Sequence, residues 1–235
     1  MAHEARGQVT TISGGTDVNM GEYKRSVENV ELPPSVREFA NRYDRVIGDR
    51  DRFLWKWIHN LFEEFTLSSV SKGALADVYE RKTLLTIFVT VLDDLAERSG
   101  DRPTFEIGRR IPFGVDGFPD IDLERAGGEA PGLELLADLW GEIDGGLREA
   151  PQYGDYADVF DYDLRQTFDA MEYSGLLNDQ PMIANRTEAE RHDAYNMAMF
   201  PYAGIDLMHS PSFDRDEYGA LRSLICDLQQ MARIG

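Results

Sequence analysis

The run from Leu84 to Glu97 reads Leu-Leu-Thr-Ile-Phe-Val-Thr-Val-Leu-Asp-Asp-Leu-Ala-Glu, and it constrains the fold more than any other stretch of the chain. It is apolar, has helical features and ends in carboxylates. In a helix, Asp93 and Glu97 stand at i and i+4, so both acids share one face. Like charges at that spacing repel and weaken the helix. Something must offset the repulsion, and hard cations such as Mg²⁺ take carboxylate oxygens as ligands. The cluster Asp93, Asp94 and Glu97 therefore reads as a metal and diphosphate site at the mouth of an apolar pocket. The competing reading is a solvated surface, the ordinary fate of acids near a helix end.

Composition sets the bounds. The 235 residues can bury a sizeable core and suit one domain. Hydrophobic residues make up 42%, which excludes a disordered protein despite a net charge of −19. Lysine occurs only at 24, 56, 72 and 82, and arginine supplies the other cations. An acidic, lysine-poor surface suits a cytoplasm of very high salt, where ions screen self-repulsion. The expectation is a halophile's protein. Nucleic acid is excluded as a partner, because phosphate backbones call for Lys/Arg patches and the chain has none. The single Cys226 allows no internal disulfide and reads as a small core residue. The N-terminus lacks a signal peptide's apolar core, and no run approaches the ~20 apolar residues of a membrane span. These features point to a cytoplasmic protein with no membrane anchor.

Periodicity predicts an all-α chain: a mobile arm over residues 1–32, then a single helical bundle domain over 33–235. Ser35-Val36-Arg37-Glu38 fits a capping box. Helix follows toward Leu67, with a break at Gly48-Asp49-Arg50-Asp51-Arg52. A second helix spans 74–98 and ends at Ser99-Gly100. Residues 100–130 read as a long connection, and loops of that length often serve as lids. Helices are predicted over 133–149 and 155–177. Thr187-Glu188-Ala189-Glu190 opens another, which meets Pro201 and should break between Met199 and Gly204. Asp214 caps a last helix with apolar Tyr218, Leu221, Ile225, Leu228 and Met231. No Val/Ile/Thr alternation marks a strand.

Side chains that could line a pocket follow from this layout. Aromatic faces stabilise cations. Phe88 lies between one and two turns before Asp93 and is the best candidate for a wall. Phe168 is another, with core packing as the ordinary alternative for any one ring. Arg165, Arg186 and Arg191 could bind phosphate oxygens, or pair with nearby acids. The histidines at 3, 59, 192 and 209 show no zinc spacing.

The all-α layout, the apolar helix ending in Asp93-Asp94-Leu95-Ala96-Glu97 and the expected break near Gly204 resemble the class I terpene synthases, over roughly residues 35–235. The resemblance implies the isoprenoid synthase fold and a DDxx(D/E) motif, matched by Asp93, Asp94 and Glu97, that binds Mg²⁺ holding an isoprenyl diphosphate. It implies ionisation to an allylic cation, release of diphosphate and cyclisation against aromatic walls. It also implies a role for Gly204 as the break residue whose carbonyl points at the substrate. Met199 stands where the family places a diphosphate-sensing arginine, and Arg186 or Arg191 would substitute. The family's second metal motif, Asn-Asp-x-x-Ser-x-x-x-Glu, is not matched by Cys226–Ile234 and is expected past Gly235, in a chain truncated at its C-terminus. Helical bundles of this kind often pair, so a homodimer stays open. Two rivals stand beside this reading: an isoprenyl transferase of the same fold, and a non-catalytic acidic α-helical binding protein.

Overall fold

A computed structural model describes residues 27–48, 50, 52–97, 102–114, 131–179, 185, 192, 194–195, 198–211 and 215–234. The side chains of Arg52, Glu97, Asn178, Asp179, Arg215, Asp216 and residues 228–234 lie outside the description. The described residues form helices α1 (Pro34–Val46), α2 (Arg52–Leu61), α3 (Leu75–Glu97), α4 (Arg102–Gly108), α5 (Pro131–Arg148), α6 (Tyr153–Asp179), α7 (Met199–Met208) and α8 (Arg215–Ile234). A 3₁₀ turn covers Ile111–Phe113, and the described residues contain no strand. None of their helices is long and apolar enough to cross a membrane.

The apolar run forms α3, which sits at the centre. Leu84, Leu85, Ile87, Phe88, Val91 and Leu92 are all fully buried. A helix with so wide an apolar surface must be covered on several sides, and α1, α2, α4, α5, α6 and α7 all pack on it. Helix α6 runs parallel to α3: Phe168 meets Phe88, and Gly175 lies against the carbonyl of Ala96. Helix α7 runs antiparallel to both. Asp206 and Tyr202 reach Lys82 and Thr86, while Gly204 lies against Phe160. Because α7 begins at Met199, it flanks only the lower part of α3, and the acidic end stands beyond it.

Several predicted boundaries move, each for a local reason. Ser35 is not an N-cap. Pro33 holds that position and Pro34 opens α1, where its missing N–H costs nothing. The Ser35 hydroxyl instead donates to Glu80 on α3. Residues 27–32, assigned to the arm by sequence, pack on the bundle: Val27 is fully buried, and Lys56 Nζ donates to the Glu28 carbonyl at 2.6 Å. The connection 100–130 contains α4 and the 3₁₀ turn, with Phe105 buried. The break predicted between Met199 and Gly204 falls earlier. Ala198, at φ 53°, precedes α7, and the helix then runs unbroken to Met208. Pro201 is tolerated because it sits in the first turn, where its N–H would have no intrahelical partner. The expected capping signals at Thr187 and Asp214 lie outside the described residues.

Helix α8 joins the bundle through a small apolar cluster of Phe200, Ala203 and Ile225, with half-buried Cys226 beside it. Arg222 adds a charged anchor. Its Nη1 donates to both oxygens of fully buried Asp163 at 2.7 Å, and its Nη2 donates to the Tyr195 hydroxyl at 2.8 Å. The guanidinium lies 4.5 Å from the Phe200 ring centroid, a cation–π contact that adds to the ion pair.

Candidate functional site

The acidic end of α3 is built by helical register. Lys82, Thr86, Thr90 and Asp93 follow one another at intervals of a turn, so one stripe of the central helix is polar. The hydroxyls of Thr86 and Thr90 each donate to the carbonyl one turn back at 2.8 Å. Thr86 also shares a 2.8 Å hydrogen bond with Tyr202 on α7. Burial raises the Tyr202 phenol to about 12, so it stays protonated and fixes the start of the stripe. Above Tyr202 the stripe emerges: Val89, Thr90, Asp93 and Asp94 are only half-buried, in contrast to the closed core beneath.

This end is electrostatically costly. The C-terminus of a helix carries partial negative charge and favours cations, yet the last turn of α3 carries acids and no basic residue. The fold supplies a cation from elsewhere. Arg50, on the corner between α1 and α2, donates from Nη2 to Asp94 Oδ1 at 2.8 Å. Its Nε donates to the Tyr43 hydroxyl at 2.7 Å, and that hydroxyl donates to Asp94 Oδ2, closing a three-residue ring. Burial opposes the charge on Arg50, but the bonds to Asp94 and Tyr43 carry its pKa above the usual value. Burial first, then the Asp94 carboxylate, push the Tyr43 phenol well above its ordinary range. Asp94 is 14% exposed and Arg50 39%. The pair lies between a surface and a buried salt bridge, and with Arg50 partly in water it contributes at most about 1 kcal/mol.

The other predicted residues fall in different places. Glu97 closes α3, with its side chain outside the description. Phe88 and Phe168 do meet, at 6.0 Å between ring centroids, with Trp140 and Phe113 joining them. Phe88 begins about 7.5 Å below Asp93, five residues at ~1.5 Å of rise each. Both phenylalanines are almost completely buried, at 0% and 1%, so in this conformation they are packed core. Arg165, which sequence assigned to phosphate or to nearby acids, lies 3.6 Å from the Phe113 ring centroid. Gly204 is not at a break. It lies inside α7, where a Cβ would come 3.0 Å from Phe160, so its smallness permits the close approach of α7 to α6. Arg186 and Arg191 lie outside the described residues. No group of three or more His, Cys, Asp or Glu residues is poised around a single point among the described residues.

Two sets of residues escaped the sequence reading. Arg50 was seen only as part of a helix break, and Tyr43 was not singled out. The second set is an ion pair, Lys82 Nζ to Asp206 Oδ1 at 2.6 Å, with both side chains essentially inaccessible. Only Asp206 carried a local signal, as a lone charge inside the apolar helical run Met199–Met208, which cannot be buried without a partner; Arg50 and Lys82 stand among other charged residues. Beside this pair, His209 bonds Asp77 at 3.2 Å and the Ile205 carbonyl at 2.9 Å.

Comparison of the chain with protein-family models, with curated proteins and with solved structures finds no match.

Proposed function

We propose that this chain binds an allylic isoprenyl diphosphate with Mg²⁺ at the acidic end of α3 and ionises it to a carbocation, as the class I terpene synthases it resembles do. The observation that carries the reading is the cation already seated there: Arg50 on Asp94, at a helix end that has acids and no basic residue of its own. The donor set suits the metal. Mg²⁺ is commonly held by one or two carboxylates plus substrate phosphates, with water filling the remaining positions. Asp93 and Glu97, one turn apart, would supply those carboxylates. The bound metal would contribute Lewis acidity at the leaving diphosphate oxygens.

The chain's own residues have separate tasks in this scheme. Asp94, tied to Arg50 and Tyr43, fixes the last turns of α3 against the α1–α2 corner. The Thr86–Tyr202 bond sets the depth at which the polar stripe leaves the core. The rings of Phe88, Phe168, Phe113 and Trp140 lie about one and a half turns below the acids, where the hydrocarbon tail would go. Admitting it requires those rings to part, because they are packed together in this conformation.

The test is direct. Wild type incubated with Mg²⁺ and an allylic diphosphate should release inorganic diphosphate and a terpene. Asp93→Asn should abolish both and leave the far-UV circular dichroism unchanged. Full turnover in that variant would sink the proposal.

The filled aromatic core and the engaged Asp94 favour a second reading, a non-catalytic α-helical binding protein. Mg²⁺ binding that is indifferent to diphosphate, with no product, would select it.

A further inference from the structure

We propose that Arg50 is a built-in counter-ion that competes with the divalent cation for the acidic end of α3, and so sets the metal concentration at which the site fills. This rests on the Mg²⁺ reading above and adds a regulating residue to it. Three observations meet here. Arg50 is not on α3 but on the short corner between α1 and α2, so its position depends on the packing of three helices. Its guanidinium is held in the ring by Tyr43 as well as by Asp94, which fixes it against the Asp94 carboxylate. It is 39% exposed, so its charge stands at the rim of the acidic end rather than sealed beneath it.

Two consequences follow from charge alone. Without metal, Arg50 relieves the repulsion among acids crowded at the negative end of a helix. With metal, the same positive charge lies beside a dication and weakens its binding. Removing a unit charge from beside a dication, through water and screened by salt, changes affinity on the order of three- to tenfold.

The experiment uses the full chain in KCl and MgCl₂ alone as the probe. Calorimetry gives the Mg²⁺ affinity, and melting curves give stability with and without Mg²⁺. Arg50→Met should bind Mg²⁺ three- to tenfold more tightly than wild type. It should melt lower than wild type in the absence of Mg²⁺ and regain most of that loss when Mg²⁺ is added. Arg50→Lys, which keeps the charge, should resemble wild type in affinity. Should Arg50→Met fold poorly, Tyr43→Phe loosens the same ring while preserving the packing of the aromatic ring, and should shift affinity in the same direction by less. Unchanged or weaker Mg²⁺ binding in Arg50→Met overturns the inference. A loss of stability that Mg²⁺ does not restore overturns it as well, because Arg50 is then a structural clamp only. The parent reading is judged separately, by whether wild type processes an allylic diphosphate.

Discussion

Replacing Lys82 with methionine tests how this bundle tolerates charge at its centre. Lys82 is fully buried, pairs its charge with Asp206 Oδ1 at 2.6 Å, and donates to the Phe65 carbonyl at 3.0 Å and Thr66 Oγ1 at 2.9 Å. Asp206 in turn accepts from the Leu67 amide at 3.1 Å. The pair therefore pins the turn after α2 onto α7, across the start of the polar stripe. Methionine refills the aliphatic stem but leaves Asp206 buried without its counter-charge. It also strips the donor from two oxygens. Breaking one side of a buried pair costs about 3–5 kcal/mol, roughly 30–50% of a typical total near ~10 kcal/mol. At ~2–4 °C per kcal/mol for a chain of this size, melting should fall by roughly 6–20 °C. Burial already raises the Asp206 pKa, and losing Lys82 raises it further. With the folded value above the unfolded one, the penalty grows as pH rises from the unfolded to the folded pKa and is constant above it. The variant should therefore be less impaired in acid. The double variant Lys82→Met/Asp206→Leu removes both charges and should recover most of the loss, since apolar replacements for a buried pair are often neutral or better. Denaturant unfolding of wild type, Lys82→Met, Asp206→Leu and the double variant measures the cycle. A loss below ~1 kcal/mol for Lys82→Met, or strict additivity in the double variant, would refute the reasoning.

Three further outcomes follow from other parts of the bundle. His209 bonds both Asp77 and the Ile205 carbonyl, and two acceptors require both ring nitrogens protonated. Burial works against that charge, but these bonds raise its pKa, so its contribution is complete below the unfolded value near ~6.5 and is lost as pH climbs through the folded value. Melting should drop across that interval, and His209→Asn should flatten the drop. Gly108→Ala places a methyl 2.5 Å from Leu136 Cδ1 and 3.1 Å from Leu92 Cδ2; overpacking there should cost about 1–3 kcal/mol by denaturation. Arg222→Met leaves Asp163 buried with Tyr218 as its remaining described partner, so amide exchange over residues 217–227 should accelerate well before that of α3.

How much could be read from the residues alone depended on range. The start and the apolar run of the long helix Leu75–Glu97 were legible as local signals, and its predicted stop at Ser99-Gly100 lies outside the described residues. The division of the first helix at residues 47–51 was legible from its charge and glycine. Ser35 misled because a capping box and a Pro-Pro entry compete for the same turn, and the proline prevailed. Helix α4 was missed because seven residues carry too little periodicity to stand out from a Pro- and Gly-rich stretch. Pro201 suggested a break where only its position within the first turn could show that none was needed. The charged partners were the least accessible. Lys82 finds Asp206, and Asp94 finds Arg50, only after helices distant in sequence have packed, and no local pattern states the pairing. The acidic end of α3 was visible as a motif, while the cation that neutralises it was not.

The measurement that bears most directly on the central claim is the melting temperature of the chain in KCl, with Mg²⁺, with an allylic isoprenyl diphosphate, and with both, for wild type and Asp93→Asn. A ligand that binds only the folded state at a hundredfold excess over Kd adds ~2.7 kcal/mol. The account predicts a rise of several degrees in wild type that needs both components and disappears in Asp93→Asn. An unchanged melting temperature with both present, or an equal rise in Asp93→Asn, would contradict it.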